Sequence, residues 1–380
     1  MRVGNKSSNK RCQNTPKKAT VLKIVLTALF GFTPLWSNAQ ITVEAYNPAS
    51  TLIVPDHIVS AAKYPFIDVH SHQYLRTPQD FQKLKMAMDS LQMKFMINLN
   101  GGWGSQLKEA VESIYKNGMS DRLAVFANID FQGFGFVQWT EYSVNQLKED
   151  VANGAKGLKI FKELGIAYTD IHGNRIPIND PRLDPIWAAC GELGIPVLIH
   201  SGAPKSFWDP MDEKNERWLE LYKYPDRRYA NSAIPSWEQL MQEQHDVFAK
   251  HPKTIFINAH FGWHSNDLAE LSAILKKYPN VYIEFGAVIA ELGRQPRMAK
   301  QFFESHQDRI LFGKDSWVPS EYVTYFRVLE TADEYFPYHK KYHAFWRMYG
   351  MGLSDEVLKK VYYKNALKII PGIDSSWFEK

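Results

Sequence analysis

Four apolar segments of the sequence each end in side chains that could bind a metal ion. His70 and His72 close the first segment, and the others end at His200, His260 and Asp315. Neutral imidazole and carboxylate together suit Zn²⁺ or a similar divalent ion, and a catalytic ion needs about three or four protein ligands plus an open position for water. The residue types therefore predict a catalytic metal site.

Such a site predicts hydrolytic chemistry. The pKa of a water molecule on the ion falls to about 7, so hydroxide forms near neutral pH. Asp315 can accept the proton of that water, while His260 can polarise a carbonyl group or stabilise an oxyanion. A lone His-x-His pair such as His70 and His72 would be weak evidence, but ligand types at four segment ends are stronger evidence.

These segments belong to a regular alternation of strand-like and helix-like stretches. Short runs rich in Val, Ile and Phe are followed by polar runs of helical period. The predicted strands are residues 66–72, 95–100, 123–130, 157–161, 196–200, 254–260, 281–285 and 310–315. The predicted helices are residues 79–92, 104–118, 139–153, 183–193, 236–250, 265–277, 296–307, 320–335 and 354–369.

Eight strand–helix units predict a closed (β/α)₈ TIM barrel of the α/β class. An open doubly wound sheet also alternates, but it usually carries a glycine-rich phosphate turn after an early strand, and residues 101–104 lack that spacing. In a barrel the C-terminal strand ends form the active-site face, and alternate strand residues share a face. The histidines and Asp315 should therefore converge, and Glu284 on the seventh strand could face the same axis.

One connection in this pattern is unusually long. Residues 201–235, between the fifth strand and its helix, are rich in Trp, Tyr, Pro and charged side chains. Long loops within compact domains are usually functional or disordered. Because this insertion has enough apolar residues to pack, we interpret it as a lid or rim over the barrel mouth.

Five stretches resemble the amidohydrolase superfamily, in particular its amidohydrolase-related (amidohydrolase 2) branch of metal-dependent TIM-barrel hydrolases, which also holds decarboxylases and lactonases. They are Phe66-Ile-Asp-Val-His-Ser-His72, Val197-Leu-Ile-His-Ser-Gly202, Ile257-Asn-Ala-His-Phe-Gly262, Ile310-Leu-Phe-Gly-Lys-Asp315 and Val361-Tyr-Tyr-Lys-Asn-Ala366. The resemblance covers residues 64–372. The roles that it implies are metal ligand for His70, His72 and His200, ligand and proton acceptor for Asp315, and catalytic histidine or ligand for His260.

The fourth predicted strand leaves the number of metal ions open. Relatives with two metal ions often carry a carboxylated Lys or a Glu at its end, and here Lys159 lies between apolar neighbours and could point inward. It could bridge a second ion after carboxylation or hold a substrate carboxylate as a cation; a surface lysine is the alternative. We expect one divalent ion, Zn²⁺, rather than two.

Large aromatic residues follow several predicted strands. Trp103, Trp208, Trp263 and Trp317 lie in loops after strands 2, 5, 6 and 8, and Arg294 follows strand 7. Exposed aromatic side chains usually serve recognition, and Arg can grip a carboxylate with two hydrogen bonds. These residues predict a rim for a small ring-containing substrate, sugar-like or aromatic, unless they pack beneath the insertion instead.

The positive charge of the chain is concentrated at its start. The net charge is +4, yet residues 1–39 hold seven Lys or Arg and no acidic residue, with an apolar run at residues 24–32. This order is typical of a Sec-type signal peptide cleaved near Ala39, so we expect a secreted or periplasmic protein with no stable membrane anchoring; an uncleaved anchor is the alternative. The remainder has 38 Lys and Arg against 41 Asp and Glu, which argues against a nucleic-acid partner.

The predicted organisation is a signal peptide at residues 1–39, an N-terminal extension at 40–63, the barrel domain at 64–372 and a C-terminal tail at 373–380. The predicted function is an exported metal-dependent hydrolase that uses a metal-bound water on an ester, lactone or amide of a small, ring-containing substrate. A metal-dependent decarboxylase (carboxy-lyase) of the same family is one alternative, and a periplasmic ligand-binding barrel without turnover is another. The sequence also allows a homo-oligomer.

Overall fold

The computed structural model of the chain describes residues 41–42, 45–340 and 346–378. The chain divides into two units, Met1–Ser50 and Thr51–Lys380. In the first unit, the described residues are exposed and form neither helix nor strand. The signal peptide predicted for residues 1–39 lies outside the described residues.

The second unit is built around parallel strands that neighbour one another in chain order. They are β1 (Phe66–Ser71), β2 (Met93–Asn98), β3 (Leu123–Val125), β4 (Leu158–Ile160), β5 (Val197–Ile199), β6 (Phe256–Asn258), β7 (Val281–Glu284) and β8 (Ile310–Leu311). Strands β1–β3 form one ladder and β4–β8 another, and single parallel bridges, Ala127 to Leu158 and Ser71 to Asp315, join the ladders at both seams. A hydrogen bond of 2.7 Å from the Asp315 N–H to the His70 carbonyl strengthens the second seam. The described strands thus close into a barrel, which confirms the predicted TIM-barrel fold.

Helices surround the barrel and connect its strands. They are α1 (Pro78–Leu91), α2 (Ser105–Lys116), α3 (Trp139–Ala152), α4 (Asp184–Leu193), α5 (Trp218–Lys223), α6 (Trp237–Lys250), α7 (Leu268–Lys277), α8 (Ile289–Arg294), α9 (Pro296–His306), α10 (Tyr322–Glu330), α11 (Asp355–Lys359) and α12 (Asn365–Ile369). An antiparallel ribbon of β9 (Phe336–Pro337) and β10 (Arg347–Met348) lies between α10 and α11 in the chain. Among the described residues, none of the helices combines the length and the apolar character that crossing a membrane requires.

Local sequence signals explain where these elements begin and what they bury. All six residues of β1 are buried, as expected for a parallel strand covered on both faces. Helix α1 begins with a capping box, in which Thr77 and Asp80 each accept the backbone N–H of the other, and Pro78 occupies its first turn. The polar residues of β1 are therefore carried into the barrel interior by an otherwise apolar strand.

The structure differs from the predicted elements mainly at their ends. Strand β8 covers Ile310–Leu311 rather than residues 310–315, because the following residues leave the ladder and form a loop at the barrel mouth. The predicted helix at 354–369 consists of α11, a π-helical turn and α12. The short helices α5 and α8 were not predicted, since both lie within loops that follow strands.

The insertion at residues 201–235 packs around a small apolar cluster of its own. Ala203, Phe207 and Leu221 form the buried part, and Tyr229 packs against it. An insertion with its own apolar centre holds a defined shape, so it can serve as a fixed wall of the barrel mouth.

A buried ion-pair network ties this insertion to the connection after β7. Arg217 bonds Glu220 of α5 at 2.9 Å and also bonds Glu291 of α8, and each of the three side chains is about 4% exposed. Arg227, which lies at the surface, forms a second ion pair with Glu220, with a nitrogen–oxygen distance of 2.6 Å. The insertion is thereby fixed to another loop of the barrel mouth by charges that are removed from water.

Candidate metal centre

The barrel brings the predicted site residues together at the C-terminal ends of β1, β5, β6 and β8. Nε2 of His70 and Nε2 of His72 each lie 3.5 Å from Oδ1 of Asp315. The ring centres of His200 and His260 are 4.4 Å apart, and those of His70 and His260 are 5.0 Å apart. Side chains from four strands thus meet at one place, as the alternation of strand faces predicted.

The nitrogen atoms of this cluster have the character of metal ligands. Nε2 of His70 and Nε2 of His200 are buried and have no hydrogen-bond partner among the described residues. One ligand atom each from His70, His72 and Asp315 lie within 4.8 Å of one another. A buried polar atom without a partner costs free energy. A divalent ion would give these atoms a partner, so the donor set fits Zn²⁺ or a similar ion.

Three of the imidazole rings are held from behind through their other nitrogen, Nδ1. The hydrogen bonds run from His70 to Oε1 of Glu284 (2.8 Å), from His72 to Oδ1 of Asn100 (2.9 Å) and from His260 to the carbonyl of Gly286 (2.7 Å). Because Nδ1 carries the proton and donates it in each of these hydrogen bonds, Nε2 keeps its lone pair for the centre of the cluster. This arrangement is usual for histidines that bind metal ions.

Two of these supporting groups bear on the sequence prediction. Sequence reasoning missed Asn100, although it follows β2 at the same edge of the barrel as the histidines, and that position is the signal that could have found it. Glu284 was expected to face the axis, and it does so as a hydrogen-bond acceptor for His70. Both supporting residues thus lie at or just beyond strand ends, like the histidines that they hold.

Burial sets the protonation states within the cluster. It lowers the pKa of His70 and of His200 well below the usual range, and Lys159 acts in the same direction. Both rings are therefore neutral near pH 7, the form that binds a metal ion. Burial alone would raise the pKa of the Asp315 carboxyl, but His70 and His260 hold it below its usual range, so this group is ionised.

Lys159 of β4 points into the barrel and is 1% exposed, so the surface-lysine alternative is wrong. Its Nζ atom has no hydrogen-bond partner among the described residues. Burial lowers its pKa to about 8, against the opposing effect of Asp315 and Glu284. Burying an amine without a partner costs free energy, and buried groups with shifted pKa values are concentrated at functional sites.

The chain makes a left-handed turn directly after β6. His260, Phe261, Gly262 and Trp263 have φ angles of 57°, 55°, 57° and 59°. Non-glycine residues pay roughly 1–2 kcal/mol each for this conformation, and such strain is concentrated at functional sites. The turn brings the ring of Trp263 to 4.5 Å from that of His260, so the strained backbone sets the positions of both side chains.

Replacing Gly262 by Ala is expected to lower the free energy of unfolding by about 2–4 kcal/mol, through strain at positive φ plus overpacking. A Cβ at this position would lie 2.4 Å from Nδ2 of Asn258. Gly118→Ala is the matched control, because Gly118 has a φ of 64° but no atom within 4 Å of its added Cβ. The control should lose only about 1 kcal/mol in urea unfolding, and equal losses in the two variants would contradict the steric argument.

Three of the predicted rim tryptophans are half-buried in loops of the barrel mouth. Trp103 lines a cavity together with Phe131. Trp208 packs against Tyr229 within the insertion, with ring centres 4.7 Å apart. Trp317 is also half-buried, in the loop after β8. Their contact with a substrate stays a prediction.

The other two rim residues are engaged by protein groups. Trp263 is 9% exposed, because it packs on His260. The guanidinium group of Arg294 lies 3.6 Å from the centre of the Trp346 ring and pairs with Glu216 at 3.3 Å. A substrate carboxylate would therefore compete with existing partners of Arg294, and this predicted role stays untested.

Comparisons with known proteins bear on the family and the fold of the chain. A family model described as Amidohydrolase matches residues 67–371. A comparison with curated proteins found no significant match. Among solved structures, similar chains are a candidate amidohydrolase from Staphylococcus aureus (15% identity, 80% of this chain and 99% of that chain, TM-score 0.50), 5-carboxyvanillate decarboxylase from Sphingomonas paucimobilis (11%, 81% and 99%, 0.48) and an amidohydrolase from Burkholderia multivorans with bound zinc (13%, 80% and 99%, 0.46). At these identities the likeness concerns the fold alone.

Proposed function

This chain belongs to the amidohydrolase family, as the motifs of its strand ends indicated, and on that premise we propose that it is a metal-dependent hydrolase of small molecules. The observation that carries the proposal is that the buried Nε2 atoms of His70 and His200 have no hydrogen-bond partner within the part of the chain that the structure describes, and that Nε2 of His70 faces the carboxylate of Asp315. Neutral imidazole and carboxylate are the ligands that Zn²⁺ binds in enzymes. The proposed substrates carry an ester, lactone or amide bond.

In this proposal one Zn²⁺ ion is held by His70, His72, His200 and Asp315. When bound, the ion would lower the pKa of a water molecule to near neutral pH, and the same ion would polarise the substrate carbonyl group. Asp315 accepts the proton of the attacking water and passes it to the leaving group. Its Oδ1 lies 3.5 Å from Nε2 of His70 and from Nε2 of His72, so this carboxylate is at the centre of the cluster.

His260 remains available for catalysis when the other four residues hold the ion. Its Nδ1 donates to the Gly286 carbonyl, so Nε2 is the atom that can carry a second proton and donate it to the substrate carbonyl oxygen. Oε1 of Glu284 lies 3.9 Å from Nδ1 and places negative charge behind this ring. This division of roles is the reason for proposing one ion rather than two.

Hydrolysis is tested by assaying the protein without residues 1–39 against ring-containing esters, lactones and amides. Acid release and CO₂ release are measured together, before chelation, after chelation and after Zn²⁺ is restored. We expect acid release that chelation abolishes and zinc restores. Release of CO₂ without net hydrolysis would favour the decarboxylase alternative, and binding without turnover of any compound would favour a ligand-binding barrel.

Export is part of the proposal and rests on residues 1–39. Fractionation of cells that express the full chain or the chain without residues 1–39 tests it. We expect the full chain in the periplasm or the medium and the shortened chain inside the cell. The same distribution of both forms would contradict export through this segment.

We propose that the ammonium group of Lys159 binds an acidic group of the substrate. Its unpartnered Nζ lies inside the barrel that carries the cluster, and the loss of one charged hydrogen bond there is worth about 1.5–3 kcal/mol. Lys159→Met should therefore lower kcat/KM for a carboxylate-bearing ester by about 10–100-fold relative to the neutral analogue of that ester. Zinc content should stay at one ion per chain.

Lys162→Met is the matched control, because it changes a partly exposed lysine three residues further along the chain. It should alter the preference between the two esters by less than the Lys159 variant does. Equal effects of Lys159→Met on both esters would show that this assignment is wrong. Loss of one of two bound zinc ions would show instead that Lys159 supports a second ion.

A further inference from the structure

The carboxylate of Glu284, the last residue of β7, is completely buried at the barrel axis. Its Oε1 accepts the Nδ1–H of His70 at 2.8 Å and the backbone N–H of His260 at 2.8 Å. Its Oε2 accepts the backbone N–H of Gly286 at 2.6 Å. Three N–H groups from three places in the chain therefore converge on one carboxylate.

We propose that Glu284 is a positioning residue that orients His70 and His260 together for the metal ion, an inference that rests on the proposed metal-dependent function. The bond to Nδ1 fixes the tautomer of His70 and leaves Nε2 facing Asp315. The bond to the His260 N–H anchors the first residue of the left-handed turn after β6. One carboxylate thus couples a residue of β1 to the turn that follows β6.

The directions of these bonds separate this role from that of a direct ligand. Oxygen and nitrogen atoms of Glu284, His70 and His260 lie within 4.8 Å of one another and by distance alone could hold an ion. However, the atom of His70 that faces Glu284 is Nδ1, which carries the proton in this bond, whereas the other ring nitrogen faces Asp315. An ion bound to Glu284 would have to displace the N–H groups that this carboxylate already accepts. Glu284 therefore acts on the ion through His70 and not as a ligand.

Two glycines close the space around this carboxylate. A Cβ at Gly313 would lie 2.4 Å from Oε2 of Glu284 and 3.0 Å from Cβ of His70, and a Cβ at Gly286 would lie 2.8 Å from the same oxygen. Glu284 therefore has little room to leave its three donors. A methyl group at position 313 would press on Glu284 and His70 together, which offers a second way to disturb the arrangement.

The zinc affinity of Glu284→Gln tests the proposal, measured by competition with a chelator. Supporting groups behind metal-binding histidines are worth about 10–100-fold in metal affinity, and we expect a loss of that size. Glu243→Gln is the matched control: Glu243 is 6% exposed and also accepts a backbone N–H, from Ile178 at 3.0 Å, but it lies on α6 and contacts none of the four histidines. Its variant should lose stability without losing zinc affinity.

The visible spectrum of the cobalt-loaded protein adds a readout that a purely structural role would leave unchanged. Glu284→Gln should keep one ion per chain but shift the absorption bands, because an amide offers one acceptor oxygen and an NH₂ donor to three N–H groups, so the contacts of Glu284 with His70, His260 and Gly286 cannot all persist. If Glu284→Gln does not fold, Gly313→Ala should show the same direction of loss in zinc affinity. Zinc affinity equal to that of the unchanged chain, in whichever variant folds, would overturn the proposal. Failure of the unchanged chain to bind zinc would overturn the proposed function itself.

Discussion

An Asp315→Asn variant is expected to fold and to keep most of its bound metal but to lose about 10²–10⁴-fold in kcat/KM, the usual contribution of a positioned proton acceptor. Asn keeps the size of the side chain and one oxygen that can face the ion, but it cannot accept the proton of the attacking water. It also tolerates the φ of 78° found at this position. The backbone bond to the His70 carbonyl at 2.7 Å is unchanged by the substitution.

Asp130→Asn is the control for this variant, since Asp130 lies in the loop after β3 and its side chain accepts the N–H of Gln132 rather than any bond from the histidine cluster. Activity, metal content and circular dichroism are measured for both variants. The control should stay within a few-fold of the unchanged chain. A rate near that of the unchanged chain in Asp315→Asn would show that the proton-acceptor role is wrong.

Replacing Arg217 by Met is expected to lower the free energy of unfolding by about 3–5 kcal/mol. The substitution removes the buried cation that pairs with both Glu220 and Glu291. Glu220 then keeps its pair with the surface residue Arg227, and Glu291 keeps a longer pair of 4.0 Å with Arg294. A buried charge without its partner costs far more than the pair itself contributes. The effect should fall on the insertion first, because this network ties it to α8.

Arg227→Met is the matched control, because Arg227 bonds the same Glu220 but is 41% exposed. Exposed pairs are worth less than about 1 kcal/mol, so this variant should unfold at almost the denaturant concentration of the unchanged chain. Adding Glu220→Gln and Glu291→Gln to Arg217→Met should restore part of the lost stability. Similar small losses in both arginine variants would contradict the assignment of a buried network.

The barrel could be predicted because its strands are short apolar runs repeated with a regular spacing of helices. Each strand is buried on both faces, so its composition alone marks it. The end of β8 could not be predicted, because Phe312 continues the apolar run of the strand although the ladder to β7 ends at Leu311, and Asp315 makes a single bridge, to Ser71. Helices α5 and α8 were missed because each has only six residues, too few for a helical pattern in the sequence. Tertiary contacts, in particular the Arg217 network, stabilise them instead.

The candidate site could be predicted as a set of residues but not as a geometry. Strand-end position and residue type were enough to select the histidines and Asp315. The left-handed turn at residues 260–263 leaves little sequence signal beyond one glycine, since Phe261 and Trp263 are types that rarely adopt positive φ. The burial of Lys159 and the contacts of Arg294 depend on loops whose packing involves residues distant in sequence.

Anomalous diffraction at the zinc edge, from crystals of the zinc-loaded protein, tests the central claim most directly. We expect one peak per chain, at about 2.0–2.2 Å from Nε2 of His70, His72 and His200 and from a carboxylate oxygen of Asp315. Nε2 of His260 should lie further from the peak, with room for a water molecule between them. The absence of a peak at this cluster, with zinc bound elsewhere or not at all, would contradict the proposed metal-dependent hydrolase.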